Sequence, residues 1–264
     1  MSAAAEKIGW NFPEGEGLLT GQLRTLLITQ AGLSGHEGYV GFDDMRKACS
    51  IFRLYIPLLK LLMAARIIAE AKKRFEAYTT GNDMSAIHPS LRIAVFRIAI
   101  NEGGREEYEA VKEYFRTTNS TDGKEIALQS MGRVQTAELA RDFLDFTFSP
   151  AVAVQDAHST GISLAQNPST RGLLWEYIKE HWDSKVYPTL SGNLLVLERF
   201  LKFSLNKFAS FEVERDIQKF FEGKDKRGYD RGLGVVVDTI TAAAKYKERD
   251  AALVREWLSA HGYL

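Results

Sequence analysis

The chain has 264 residues, of which 45% are hydrophobic and 26% charged, a balance ordinary for a globular protein. Thirty-four Lys and Arg against 34 Asp and Glu give no net charge, which argues against nucleic acid or an anionic membrane as partner. Six prolines in this length favour long uninterrupted helices over a loop-rich β fold. The single cysteine, Cys49, excludes a disulfide within the chain and fits a reducing compartment. Met1 to Phe12 carries no apolar signal core, so a cytoplasmic location is expected. Asn119-Ser120-Thr121 matches a glycosylation sequon and reads as a solvated loop.

Taken in order, the elements are helical. Leu18, Leu19, Leu23, Leu26 and Leu27 recur at helical spacing before Gly32 and Gly35. Ile51 to Ala65 is strongly apolar, but it contains Arg53, Pro57 and Lys60 and falls short of the ~20 apolar residues a span requires. It reads as a buried or misplaced helix, not a span. His88-Pro89-Ser90 opens a helix whose apolar face is Leu91, Val95, Ile98 and Ala99, ended by Gly103-Gly104. Helices follow at Glu106 to Thr117, Asp122 to Met131, Thr136 to Phe148 and Val152 to Ala165. Asn167-Pro168 caps the next, which carries Leu174, Trp175, Ile178 and Trp182. Ser191 to Phe208, Phe211 to Phe221 and Gly232 to Tyr246 come next, and Asp250 is expected to cap a last helix through Trp257 and Leu258. The expected fold is therefore all-α: an irregular solenoid of HEAT-like helical hairpins, with a helical bundle as the alternative packing.

Some segments carry more than periodicity. Ala127-Leu128-Gln129-Ser130-Met131-Gly132-Arg133 precedes one helix, and Val152-Ala153-Val154-Gln155-Asp156 opens another. Asn167 to Trp182 sets Arg171 and two tryptophans, Trp175 and Trp182, behind an Asn. Phe208-Ala209-Ser210, Phe220-Phe221 and Trp257-Leu258 follow. This series resembles the C-terminal helical domain of the zinc-dependent aminopeptidases, which include puromycin-sensitive, endoplasmic-reticulum and fungal cytosolic enzymes. There the pieces read A-L-G-R, V-R-x-Q-D, N-x-x-G-R with two spaced tryptophans, F-x-S, F-F and a terminal W-L. Ile8-Gly9-Trp10 and Leu91 to Glu102 also fit the fungal members.

The resemblance implies a domain over residues 1–264, lacking some leading helices, that closes over an upstream catalytic domain absent from this sequence. Its partners would be peptide substrate and that catalytic domain, in cis or in trans. Zinc would belong to the catalytic domain, with no cofactor in this chain. Arg133, matching the Arg of A-L-G-R, would face peptide, and Gln155 and Asp156 could line the same cavity. Competing roles are a helix cap or dipole contact for all three. The family's Arg two places before the Gln is Ala153 here, which weakens a charge-based role. Trp175 and Trp182 are expected in the core, Arg171 against a neighbouring helix, and Lys224-Asp225-Lys226-Arg227 in solvent.

No catalytic residue is expected in this chain. Zinc aminopeptidases need H-E-x-x-H, two His one helical turn apart. Here His36-Glu37-Gly38-Tyr39-Val40 has Val for the second His, in a Gly-rich setting. The family's Gly-Ala-Met-Glu-Asn amine-gripping segment, a phosphate loop and Gly-x-Ser-x-Gly do not occur. A free-standing helical scaffold for a peptide or protein is the alternative reading. Residues 41–66 have no counterpart in the family pattern, which suggests a translated intron or splice insertion. Transcripts joining the codon for Val40 directly to that for Ile67 or Ile68 are the expected finding; uniformly full-length transcripts would remove the idea.

Overall fold

A computed structural model describes residues 2–33, 51–81 and 83–261, all helix, turn or coil with no strand among them. The chain divides into two compact units, Met1–Gln135 and Thr136–Leu264. The first contains α1 (Ser2–Ile8), α2 (Leu18–Leu33), α3 (Ile51–Thr79), α4 (Arg92–Glu102), α5 (Arg105–Thr117) and α6 (Thr121–Met131). The second contains α7 (Ala137–Thr147), α8 (Ala157–Gln166), α9 (Pro168–Glu180), α10 (Tyr187–Leu190), α11 (Leu194–Leu205), α12 (Phe211–Phe221) and α13 (Asp230–Ala260). The all-α expectation holds, and no helix among the described residues is long and apolar enough to cross a membrane. Cys49, His36, Glu37 and residues 41–50 lie outside the described residues; from Ile51 onward the expected apolar helix is continuous with α3.

Unit 1 is built around α4. Ala94, Val95, Phe96, Ile98, Ala99, Ile100 and Asn101 are all buried, leaving little of the helix for water. A helix apolar nearly all round must be covered on several sides, and α2, α3, α5 and α6 all pack on it. Phe96 sits edge-on to Phe75 at 5.4 Å and to Tyr114 at 5.2 Å. Gly32 of α2 lies directly against Ile98, where a Cβ would overlap the Ile side chain, so this close approach requires glycine. His88 opens the helix as expected: its ring nitrogen accepts from the Ser90 amide at 3.3 Å, and Pro89–Leu91 form a 3-10 turn. A left-handed Gly9 (φ 69°) turns the chain after α1, and buried Arg24 holds the turn by donating to the Gly9 carbonyl at 3.0 Å. Glu16 balances the Arg24 charge, and that hydrogen bond keeps the Glu16 carboxyl below its usual range.

In unit 2 the closest packing joins α8 to α11. The buried face of α8 is made of small residues: Ala157, Ser159, Thr160, Gly161, Ser163 and Ala165 beside Leu164. α11 answers with Leu197, Phe200, Leu201, Ser204 and Leu205. Small against large lets the two axes approach. The tightest point is Gly161, where a Cβ would overlap Ser204 Oγ and touch the Phe200 ring at 3.4 Å. Asn167 caps α9 as expected, its Oδ1 accepting from the Ser169 amide at 3.1 Å. Trp175 and Trp182 are buried, meeting Phe220 and Phe221, as the sequence led us to expect. Trp175 Nε1 donates to Asp216 at 2.7 Å, and Lys179 does so at 2.8 Å.

Several boundaries differ from expectation: the helix expected from Val152 starts at Ala157, and the one expected over Ser191 to Phe208 spans Leu194–Leu205. α9 ends at Glu180, and Trp182–Val186 form a π-helical turn, with the Val186 amide donating five residues back to His181. The wider turn re-phases the helix so that Trp182 and Val186 are both buried. Asp250 does not cap a helix: α13 runs unbroken from Asp230 to Ala260. Lys247, Glu248 and Arg249 favour helix, and no Gly or Pro interrupts them. Asp250 instead pairs with Arg249 (Nε to Oδ1, 2.7 Å).

The Gly161 contact makes a test in which the sign reverses. Gly161→Ala is expected to lower stability by about 1–3 kcal/mol in the native chain. On a Ser204→Ala background the obstructing oxygen is gone, and the same change should be neutral or stabilising by up to ~1 kcal/mol through helix propensity. Chemical denaturation of the four proteins measures both; equal effects on the two backgrounds would contradict the packing described.

Candidate peptide-facing site

Arg133 lies in the turn that follows α6, half-buried, its amide bonded to the Ser130 carbonyl at 3.0 Å. The expected alternative, a cap at the end of α6, is compatible with this position. Burial pushes the Arg133 guanidinium down from its ordinary pKa. Its neighbour is a residue the sequence reading passed over, Arg97 of α4. Burial, then the like charge of Arg133, bring Arg97 down to about 10. Both remain cations at neutral pH, so two positive charges share a partly dehydrated place.

Amides line the same place. Arg97 Nη2 donates to Gln129 Oε1 at 3.1 Å, and Gln129 in turn donates to Glu125 at 2.8 Å. Gln135 Nε2 donates to the Arg133 carbonyl at 2.8 Å and to Asn101 Oδ1 at 2.9 Å. Arg97 Nε is buried and has no hydrogen-bond partner among the described residues. A guanidinium held with a donor unfilled, beside a second one, is poised to receive an anion: a planar carboxylate or a phosphate accepts two such donors at once. Arg97 was discoverable as a charge within the otherwise apolar run Val95 to Ile100, although its nearness to Arg133 depends on how α4 and α6 pack.

Gln155 and Asp156 belong to unit 2 and sit together in the 3-10 turn Val154–Asp156 before α8. Gln155 is exposed, its carbonyl 2.7 Å from His158 Nδ1. Asp156 occupies the N-cap position of α8 in a helical conformation and makes no side-chain capping hydrogen bond. Its charge still favours the positive end of that helix. Arg171 donates to the Ala165 carbonyl at 2.7 Å, closing the end of α8, and its guanidinium lies 6.0 Å from the Phe208 ring. Asp225 and Arg227 pair with each other on the surface. Among the described residues, no three His, Cys, Asp or Glu side chains are grouped as a metal site.

A family model described as the ERAP1-like C-terminal domain matches residues 1–242. Aminopeptidase 2 of Candida albicans is 30% identical over 197 residues, which is 74% of this chain and 21% of that protein. Alanine/arginine aminopeptidase of Saccharomyces cerevisiae is 29% identical over 259 residues, 97% of this chain and 26% of that protein. Human aminopeptidase N is 22% identical over 189 residues, 70% of this chain and 19% of that protein. The chain thus spans about a quarter of the length of the relatives it matches.

The arginine pair makes a stability prediction. Arg97→Met removes a partly dehydrated like charge and keeps much of the apolar stem. The thermal midpoint is expected to stay level or rise by about 2–4 °C. A clear fall would show that Arg97 is held by favourable contacts and would take away the argument for an anion there. With the match covering residues 1–242 of 264, the chain belongs to the ERAP1-like C-terminal domain family.

Proposed function

We propose that this chain is the non-catalytic, substrate-enclosing C-terminal domain of a cytoplasmic zinc aminopeptidase that removes N-terminal residues from peptides. Three lines support the reading. The family match covers most of the chain. The named relatives are aminopeptidases about four times longer, which leaves room for catalysis elsewhere. Zinc chemistry belongs, in this reading, to that remainder; among the described residues no three His, Cys, Asp or Glu side chains are grouped as a ligand set.

The observation that carries the role is the Arg97–Arg133 pair. In this proposal it takes the carboxylate end of a peptide whose amino end lies in the catalytic domain. Two guanidinium groups fix a carboxylate by charge and by paired hydrogen bonds, and partial burial strengthens both. Gln129 and Gln135 hold the two arginines' surroundings in place through the amide contacts above. Within unit 2, taken by itself, exposed Gln155 and half-buried Asp156 before α8 are proposed as polar surface for peptide. Binding is to the terminal group rather than to side chains, so many sequences would be accepted.

The test uses a peptide with a free carboxyl terminus and its amidated twin. The free acid is expected to bind the purified chain at least tenfold more tightly by calorimetry, a difference of about 1.4 kcal/mol. Arg133→Ala and Arg97→Met should each erase the preference while the far-ultraviolet dichroism is kept. Neither peptide should release free amino acid, with or without zinc. Equal binding of acid and amide would end the carboxylate role, and zinc-dependent, chelator-sensitive turnover would end the non-catalytic one.

A further inference from the structure

The last buried residues of α13 are Val236, Ile240 and Ala244. Beyond Ala244 the helix continues for about four turns with several large apolar side chains exposed, Leu258 half-buried and the Trp257 ring stacked on His261 at 4.1 Å. Tyr246 is 56% exposed, Leu253 65%, Val254 44% and Trp257 54%. Tyr246, Asp250, Leu253 and Trp257 follow one another at alternating steps of four and three, so they form one stripe of the spacing used by paired helices.

Read antiparallel, this stripe is complementary to itself. A two-fold axis between Ala251 and Ala252 sets Tyr246 against the second copy's Trp257, and Asp250 against the second copy's Leu253. In an antiparallel pair the same flank of each helix meets. Arg249 and Glu256 both lie on the flank one position before the stripe, so Arg249 faces the second copy's Glu256, twice by symmetry. Asp250 is the one polar residue in the stripe, and Arg249 already neutralises it through bonds of 2.7 and 2.6 Å. A guanidinium has five donors, so the same Arg249 can hold Asp250 and reach a carboxylate across the interface. A paired polar group within an apolar stripe costs stability but fixes the register.

We propose that the exposed half of α13 is a self-association surface, on which two copies of this chain pair antiparallel about the point between Ala251 and Ala252. The charge pattern selects a second copy: the opposite charges match only in this register, and the aromatic side chains cover each other at both ends. The interface has few layers, so the dimer is weak and concentration-dependent.

Sedimentation velocity of the full chain at rising concentration tests this. The expected result is a monomer–dimer equilibrium. Leu253→Asp should abolish it. Glu256→Arg places two like-charged pairs at the flanks and should weaken it on the order of tenfold at low salt. Glu248→Arg, exposed on the face of the helix away from the stripe, where it borders a groove with Ala209 to Glu212, should leave it unchanged. Asp250→Leu should tighten it. Glu248, Leu253 and Glu256 are exposed and Asp250 is half-buried, and unchanged dichroism confirms the fold. A monomer at every concentration for both the native chain and Asp250→Leu would overturn the proposal. So would a dimer indifferent to Leu253→Asp, or one weakened equally by the changes at 248 and 256.

Discussion

Burying one helix on nearly every side is the constraint from which unit 1 follows. Once Ala94 to Asn101 of α4 must leave water, at least three neighbours are needed to cover it, and α2, α3, α5 and α6 supply them. Gly32 lets α2 come close to Ile98, and the Phe75, Phe96 and Tyr114 rings close another side. The same enclosure explains a discord in this helix. Arg97 cannot escape far from the packed faces, and the turn after α6 brings Arg133 beside it. Burial makes a guanidinium costly to hold there, and the Gln129 contact offsets part of that cost.

Much of this architecture was legible because helix ends are written locally. Ser120, Thr136 and Asn167 each accept from an amide two or three residues onward, and such short-range bonds need no tertiary knowledge. Gly103-Gly104 likewise ended α4 as expected. Asp250 misled for an instructive reason. The residue type favours an N-cap, but the preceding Lys-Glu-Arg favours continuation, and a pairing with Arg249 satisfies the carboxylate without a cap. The π-helical turn at Trp182–Val186 was also hidden, because it answers the demand to bury both residues against a surface that only the folded unit provides.

The candidate site divides in the same way. Arg133 was reachable from sequence through the Ala-Leu…Gly-Arg pattern that precedes a helix. Arg97 stood out only as a charge in an apolar run; thirty-odd residues separate it from Arg133, and only the packing of α4 on α6 unites them. Gln155 and Asp156 were placed correctly at a helix start. The local expectation of a side-chain cap failed there, because the chain enters α8 through a 3-10 turn and Asp156 already has helical torsions.

The unbroken course of α13 also bears on how its outer half stays ordered. An isolated helix of this length in water is marginal, since the first turn must be fixed before any bond rewards it. Here the buried turns from Gly232 to Ala244 have already met that cost. Each later residue only extends an existing template, adding one hydrogen bond for one pair of torsions. The outer half is therefore a propagated helix with one anchored end, its order fading gradually toward Ala260 instead of melting as a unit, and anything that grips the far end would gain a nearly preformed partner.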